Sequence, residues 1–260
     1  WDDKDFYVLA ANQKFSDNLK AGLELYYIDD NAAALEKDIY FYGPTFAFTQ
    51  DNLSIDGFLV FQDGEWDNGV DTVDVEGFAA SAKVKMKIEG GDVGLRLIYF
   101  SEDDDDEKQG QWQGNVGAYA FVKENLQQFL TDAYVTNADK HRYAMNDAAN
   151  AGFGLFGAVA SGNHNLSDDM YFKWGAGYFL TVEDERNDNA AVGDKREGDT
   201  MGYEISARVG KKFFDKVDVS LNASYAGYGD FYDDTAVKKD GSIADPDDTY
   251  QAYLMVNVPF

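Results

Sequence analysis

Hydrophobic and polar residues alternate with a period of two along most of this chain. Over residues 216–228, Val217, Val219 and Leu221 alternate with Asp218 and Ser220. Successive side chains of a β-strand point to opposite faces, whereas a helical pattern repeats every 3.6 residues. The alternation therefore predicts strands that each have one apolar face and one polar face.

The pattern recurs often enough to predict an all-β fold. The predicted strands are 4–12, 19–29, 37–49, 53–63, 74–88, 92–101, 112–122, 150–161, 169–182, 200–212, 216–230 and 248–260, with a weaker strand at 127–136. Within 37–49 the alternation changes phase at Gly43 and Pro44, which predicts a bulge or a local break. Two kinds of connection join these strands. Some are short turns, and the others are long acidic loops near 64–73, 102–111, 137–149, 183–199 and 231–247.

Strand length and polarity favour a membrane barrel over a soluble β protein. The predicted strands reach ten residues and more, whereas strands of soluble sandwiches usually have five or six. Their polar faces carry lysine, arginine, glutamate and aspartate, which the core of a sandwich or a lipocalin-like barrel would not bury unpaired. We expect one domain over residues 1–260, a transmembrane antiparallel up-and-down β-barrel with twelve to fourteen visible strands.

Composition narrows the function classes. The net charge of -26 disfavours nucleic acid as a partner, and the absence of cysteine excludes disulfides and thiolate chemistry. No run of about 18 apolar residues predicts a transmembrane helix. The opening residues WDDKDFYVLA lack a basic and then apolar stretch, so we expect that any signal peptide has already been removed.

The end of the chain carries a family resemblance. The last segment, DTYQAYLMVNVPF, ends on Phe260 and has Val258, Val256 and Leu254 at alternate positions before it. It resembles the carboxy-terminal signature of Gram-negative outer-membrane barrels, which the barrel-assembly machinery reads. The segment 202–234 is similar to the closing hairpins of bacterial porins, including relatives of alginate-export channels. The resemblance implies contact with outer-membrane lipid and lipopolysaccharide, and it is compatible with an oligomer.

The parity of the strands leads to an expectation about barrel size. In such barrels the last strand ends at the periplasm, where the short turns lie, and the long loops face outward. All short turns fall on the periplasmic side and all long loops on the outer side, in both halves of the chain, only if 127–136 is a thirteenth strand. Because bacterial barrels close with even strand numbers, we then expect a further strand before Trp1 and a barrel of fourteen strands or more. If 127–136 is a loop, twelve strands close without it.

Charged side chains on the polar faces are the predicted pore-lining set. They are Lys83, Lys85, Lys87, Arg96, Lys173, Glu204, Arg208 and Asp218. Beside water in a lumen, such charges set ion selectivity, and a loop folded inward from 123–149 would narrow the passage. The alternative is that these charges only solvate the interior or pair with one another.

Metal binding and catalysis have little support. Asp103, Asp104, Asp105 and Asp106 are weak calcium candidates, but Lys108 occupies the position where an EF-hand requires glycine. A solvated acidic loop is the favoured interpretation, and we expect no other cofactor. The two histidines, in an outer loop (His141) and a periplasmic turn (His164), fall at opposite ends of the barrel. No serine forms a nucleophile motif with either, so we expect no enzyme.

Three functional hypotheses follow. The first is a passive outer-membrane channel for ions or small hydrophilic solutes, with the charged residues setting selectivity. The second is a structural or adhesive barrel that binds a partner through its acidic loops. The third is an exporter of an anionic polysaccharide, which would need a strongly basic lumen and has only the lysine stripe 83–87 in its favour.

Overall fold

The alternating pattern folds into one extended antiparallel sheet. The computed structural model describes residues 4–32, 35–67, 71–102, 108–109, 124–129, 154–182, 198–214, 216–233, 236–237 and 242–258. Its strands are β1 (Lys4–Lys14), β2 (Leu19–Ala32), β3 (Leu35–Gln50), β4 (Leu53–Asp67), β5 (Thr72–Ile88), β6 (Gly91–Phe100), β7 (Lys108–Gln109), β8 (Leu155–Asn165), β9 (Met170–Leu180), β10 (Thr200–Phe213), β11 (Val217–Tyr228), β12 (Ala236–Val237), β13 (Ile243–Ala244) and β14 (Thr249–Asn257).

Eleven of these strands form an up-and-down meander. Their order is β1-β2-β3-β4-β5-β6-β8-β9-β10-β11-β14, and every neighbouring pair is antiparallel. The two-residue β7 pairs in parallel with β5, and β12 and β13 form a small separate ladder. In the described part of the chain, no pairing joins β1 to β14. The predicted all-β, up-and-down architecture is confirmed.

Within the described residues, no helix is long and apolar enough to cross a bilayer.

The largest departure from the predicted strands lies between β6 and β8. These strands pair directly with each other, from Gly91 opposite His164 to Phe100 opposite Leu155. The weaker prediction of a strand at 127–136 is therefore wrong for the part that is described, residues 127–129. Residues 127–129 form bends and a turn, while 112–122 and 130–136 lie outside the described residues. The visible wall thus has eleven strands, and its first and last strands run in the same direction.

Gly43 and Pro44 interrupt a ladder without shifting it. The pairing of β3 with β4 omits these two residues and resumes in the same register, with Tyr42 opposite Phe61 and Thr45 opposite Phe58. Proline has no backbone N–H to donate, which accounts for the interruption. The local break is confirmed, and there is no bulge.

One face of the sheet exposes apolar side chains and the other buries polar side chains, which is the reverse of a soluble protein. On β11, Leu221 is 59% exposed, whereas the neighbouring Ser220 and Asn222 are 1% and 0% exposed. Leu254 and Val256 on β14 are likewise more than half exposed. We call the face with the buried polar side chains the inner face and the apolar exposed face the outer face. Soluble domains bury their apolar face instead.

The inner face itself has an apolar half and a polar half. Short turns connect the strands at one end of the sheet, which we call the turn end; the other is the loop end. Buried apolar residues form a cluster toward the loop end: Ile28, Ile39, Phe41, Ala79, Ile98, Phe100, Leu126, Phe129, Leu155, Val159, Phe179, Met201, Ala226, Phe231 and Tyr232. Phe231 and Tyr232 come from a one-turn 3₁₀ helix, Asp230–Tyr232, after β11. Toward the turn end the same face carries mainly charged and amide side chains.

Candidate functional site

The register of the sheet brings the predicted pore-lining residues onto one face. Lys83 lies opposite Arg96, and Lys173 lies opposite Arg208. Directly opposed residues of an antiparallel pair share a face, and residues two apart along a strand do so as well. By this rule all eight residues, Lys83, Lys85, Lys87, Arg96, Lys173, Glu204, Arg208 and Asp218, lie on the inner face.

Six residues of the long connection between β6 and β8 lie against this face. We call residues 124–129, with the sequence ENLQQF, the inward segment. Its side chains and backbone contact strands from β5 to β14, across most of the visible wall. The segment falls within 123–149, where the sequence predicted an inward-folded loop.

One end of the inward segment is anchored by the Glu124 carboxylate. Arg96 Nε donates to Glu124 Oε1 at 2.6 Å, and Lys83 Nζ donates to Glu124 Oε2 at 2.8 Å. Ser161 Oγ donates to the same Oε2 at 3.1 Å. Burial alone would raise the pKa of Glu124, but the hydrogen bonds from Lys83 and Arg96 outweigh it and hold the pKa below its ordinary value.

Arg96 links this anchor to two further strands. Its Nη1 donates to Ser81 Oγ at 2.8 Å, and its Nη2 is 3.5 Å from Asp56 Oδ2. Arg96 is only 7% exposed. A buried guanidinium requires carboxylate and hydroxyl partners on its several N–H groups, and the cluster supplies them from β4, β5 and the inward segment.

The other end of the inward segment is held by Glu204 of β10. The backbone N–H groups of Gln127, Gln128 and Phe129 donate to its two carboxylate oxygens at 2.5, 2.9 and 2.6 Å. Glu204 is 0% exposed. Three backbone donors converge on one buried carboxylate, so both of its oxygens have hydrogen-bond partners.

Amide side chains add direct bonds from the segment to the wall. Gln127 Nε2 donates to the carbonyl oxygens of Ala207 and Ala223 at 3.1 and 3.2 Å. Gln128 Nε2 donates to Ser224 Oγ at 3.0 Å. Asn125 Nδ2 donates to the Trp174 carbonyl oxygen at 3.1 Å. Because the acceptors belong to β9, β10 and β11, the segment is positioned against three neighbouring strands.

Phe129 inserts the segment into the apolar cluster. Its ring stacks on Phe179 with centroids 4.9 Å apart, and it lies 6.0 Å from the Tyr228 ring. Glycine makes room for this stack: a Cβ added to Gly177 would lie 2.8 Å from the Phe179 ring and 2.9 Å from Leu126 Cδ1. Gly157 of β8 and Gly177 of β9 therefore leave space for the Phe179 ring in the interior.

A second group of charges lies closer to the turn end. Lys173 and Arg208 are direct cross-strand neighbours. The Arg208 Nε donates to Asn222 Oδ1, and the Lys173 ammonium lies 5.3 Å from the centre of the Tyr171 ring. Tyr171 donates its hydroxyl to Asp218 at 2.8 Å. Positive charge therefore lies on β9 and β10, at Lys173 and Arg208, and negative charge lies on the adjacent β11, at Asp218.

The lysine stripe is partly neutralised. Lys83 is paired with Glu124, as described above, and Lys85 Nζ is 3.9 Å from Asp92 Oδ2. Lys87, nearest the turn, is exposed. The stripe is therefore less basic than three adjacent lysines suggest.

The predicted calcium candidates and one of the two histidines do not fall among the described residues. Asp103, Asp104, Asp105, Asp106 and His141 lie outside the described residues. Among the residues that the structure does describe, no group of three or more potential ligands could hold a metal ion.

His164 lies in β8, so its assignment to a turn is wrong. It lies opposite Phe172, which lies opposite Val209, so it belongs to the outer face. Its Nε2 accepts a hydrogen bond from Trp174 Nε1 at 3.1 Å. The residues predicted as an assembly signal, Leu254, Val256 and Val258, are all exposed, and Phe260 lies outside the described residues.

Sequence reasoning did not find the residues that hold the inward segment. Glu124, Asn125 and Gln127 carry its polar contacts, yet nothing in the local pattern separates ENLQQF from a polar loop or a weak strand. Glu204 was found as an inward charge, but its three donors lie about 75 residues earlier in the chain. The one available signal was a glutamate on the predicted lumen face of a strand.

Comparison with known proteins supports the fold. No family model matches the chain, and no curated protein matches it. Among solved structures, a variant of OccD1 (OprD) matches with a TM-score of 0.52 at 10% identity, over 96% of this chain and 59% of that one. OpdL of Pseudomonas aeruginosa matches at 0.49 and 12% identity, over 96% and 59%. The NanC porin matches at 0.40 and 10% identity, over 99% and 94%.

This chain has the fold of Gram-negative outer-membrane β-barrel porins. It spans about three fifths of the length of OccD1 and OpdL.

Proposed function

We propose that this chain forms an outer-membrane channel through which ions or small hydrophilic solutes diffuse. The observation that carries the proposal is the inverted polarity of the wall, with Leu221 59% exposed on the outer face and Asn222 0% exposed on the inner face. In hydrocarbon an apolar outer face is favourable, and paired strands satisfy the backbone hydrogen bonds that lipid cannot. A polar inner face suits a passage for water.

The same proposal assigns location and partners. The outer face would contact lipid and lipopolysaccharide in the outer membrane of a Gram-negative bacterium. The exposed residues Leu254, Val256 and Val258, with Phe260, would be read by the barrel-assembly machinery during insertion. The proposed activity is passive and involves no catalysis.

Selectivity is assigned to charges at two levels of the inner face. The first level is the group of Lys83, Arg96 and Glu124 at the inward segment, and the second is the row of Lys173, Arg208 and Asp218 nearer the turn end. Charged rings beside a narrow aqueous passage select permeating ions by sign. The proposed pore-lining residues are the eight identified from the sequence, joined by Glu124.

One observation favours the structural or adhesive barrel as a second candidate. The apolar cluster at the loop end is almost fully buried, with Ile98, Phe100 and Val159 between 0% and 1% exposed. An interior packed in this way would suit a plugged barrel. The exporter of an anionic polysaccharide has less support, because Lys83 and Lys85 have carboxylate partners.

Ion conductance separates these candidates. The purified protein would be incorporated into planar bilayers, with its folded state checked by the heat-dependent change in electrophoretic mobility. A channel gives discrete current steps, and the reversal potential in a salt gradient reports its selectivity. If the folded protein gives no steps, the channel proposal is contradicted and the plugged barrel is favoured.

A further inference from the structure

We infer that Glu204 is the positioning residue that holds the inward segment across the lumen and so sets the width of the passage. This inference rests on the proposed channel function. It concerns what determines the narrowest level of the channel.

The Glu204 carboxylate binds the backbone of the inward segment. Both of its oxygens accept backbone N–H groups, from three successive residues of the inward segment, at distances of 2.5 to 2.9 Å. Backbone donors depend on the path of the chain and little on the identity of the side chains. A carboxylate that collects three of them therefore fixes the conformation of the segment.

The inward segment is anchored at both of its ends, on different strands. Glu124 is held by β5 and β6 through Lys83 and Arg96, while residues 127–129 are held by β10 through Glu204. Three strands separate β6 from β11, where Gln128 reaches Ser224. Loss of the Glu204 anchor would remove three backbone hydrogen bonds from residues 127–129, which would then depend on contacts such as the Gln127 and Gln128 amide bonds and the Phe129 stack. Without the three backbone bonds, the segment would be held less firmly against the wall.

The inward segment has different neighbours on its two sides. Toward the loop end, Phe129 and Leu126 belong to the apolar cluster, where side chains are 0% and 1% exposed. Toward the turn end lies the charged row of Lys173 and Arg208. The segment occupies the boundary between the apolar half and the polar half of the inner face. A solute that crosses the interior must pass this level.

The Glu204→Gln variant tests this role because it keeps the size of the side chain. The amide replaces one acceptor oxygen with an N–H₂ donor that faces backbone donors, so part of the hydrogen bonding is lost. We expect the single-channel conductance to rise about twofold or more and the ion selectivity to weaken, as a wider and less charged passage requires. Glu24→Gln on β2 is the matched control: its carboxylate is also on the inner face, where it accepts the Tyr26 hydroxyl.

A variant in which the inward segment is cross-linked to the wall distinguishes an effect of the segment's position from a general destabilisation of the barrel. The chain contains no cysteine, so Gln128→Cys with Ser224→Cys introduces a single pair of thiols at side chains that are now 3.0 Å apart. A short bis-methanethiosulfonate reagent would tie the segment to β11. In the Glu204→Gln background, bridging is expected to restore the low conductance, and reduction is expected to release it again.

The outcomes distinguish the inference from the proposed function. A rise in conductance in Glu204→Gln that bridging reverses, with Glu24→Gln unchanged, supports the inference. Equal conductance in the parent protein and Glu204→Gln, or a rise that bridging does not reverse, overturns it and leaves the channel intact. Folded protein that gives no current in any variant, bridged or reduced, overturns the channel function as well.

Discussion

At the scale of single residues, the interior is organised by a few buried charges that compensate one another. Arg96 is 7% exposed and is held by Glu124, Ser81 and Asp56. Removing one partner of such a buried pair generally costs about 3–5 kcal/mol, because the other charge is left without compensation. The inward segment and the wall therefore depend on each other through this cluster.

Acid is expected to release the Glu124 anchor only at low pH. The pKa of Glu124 is held below its ordinary value of 4.5. The ionised carboxylate therefore holds the inward segment in place fully above pH 4.5, and this stabilisation is lost as the pH falls through the lowered pKa. The groups that face it are Lys83 and Arg96, with Asp56 on the far side of Arg96. Single-channel conductance should stay constant from about pH 7 to pH 5 and rise below about pH 4.

Glu124→Gln serves as the control for this prediction. Without the titrating carboxylate, the conductance should already be raised at neutral pH and should change less on acidification. A conductance that rises between about pH 7 and pH 5 in the parent protein would point to another group and contradict the assignment to Glu124.

At the scale of elements, each strand separates an outer from an inner environment by the alternation of its side chains. Leu221 on the outer face should therefore tolerate a charge far less well than a residue of the inner face. We expect Leu221→Arg to destabilise the folded barrel by about 2–4 kcal/mol, the cost of an arginine on the lipid face near the bilayer centre. Unfolding by urea in lipid vesicles, followed by tryptophan fluorescence, measures this cost.

The matched variant places the same arginine on the inner face. Thr45 lies in the middle of β3, opposite Phe58 of the inner face, and is partly exposed. Thr45→Arg is expected to cost less than about 1 kcal/mol, as substitutions that face water usually do. Equal destabilisation by the two arginines would show that the outer face does not contact lipid.

At the scale of the whole molecule, the connections at the turn end are all short, whereas the loop end also has the long connections β6–β8, β9–β10 and β11–β14. Barrels of this fold place the short turns in the periplasm. A cysteine at Asp67, on the exposed loop end of β4, should react with a membrane-impermeant maleimide on intact cells. A cysteine at Asp17, in a turn where its side chain is 95% exposed, should react only after the outer membrane is permeabilised.

The labelling experiment also tests the location of the protein. Labelling of Asp17→Cys but not of Asp67→Cys on intact cells would reverse the orientation. Labelling of neither variant on intact cells, with both reactive in lysates, would contradict exposure at the cell surface.

Much of the wall was predictable because its signal is local. On β11, the alternation of Val219 and Leu221 with Ser220 and Asn222 shows both the strand and its two faces. The eight charged residues predicted to line a lumen share one face because the same rule applies to each strand separately. The inward segment was different: Leu126 to Phe129 carries a weak alternation that predicts a strand, yet these residues form bends against the wall.

The amino-acid sequence by itself determined the eleven strands of the described wall, their two faces and the inversion of polarity, since these follow from side chains one and two positions apart. Only the tertiary structure decided that β6 pairs with β8 and that ENLQQF lies inside. It also decided that Glu204 receives the backbone N–H groups of residues 127–129. The physical reason is distance along the chain: the three donors and their carboxylate are separated by 75 to 77 residues, so their contact exists only once the wall has formed.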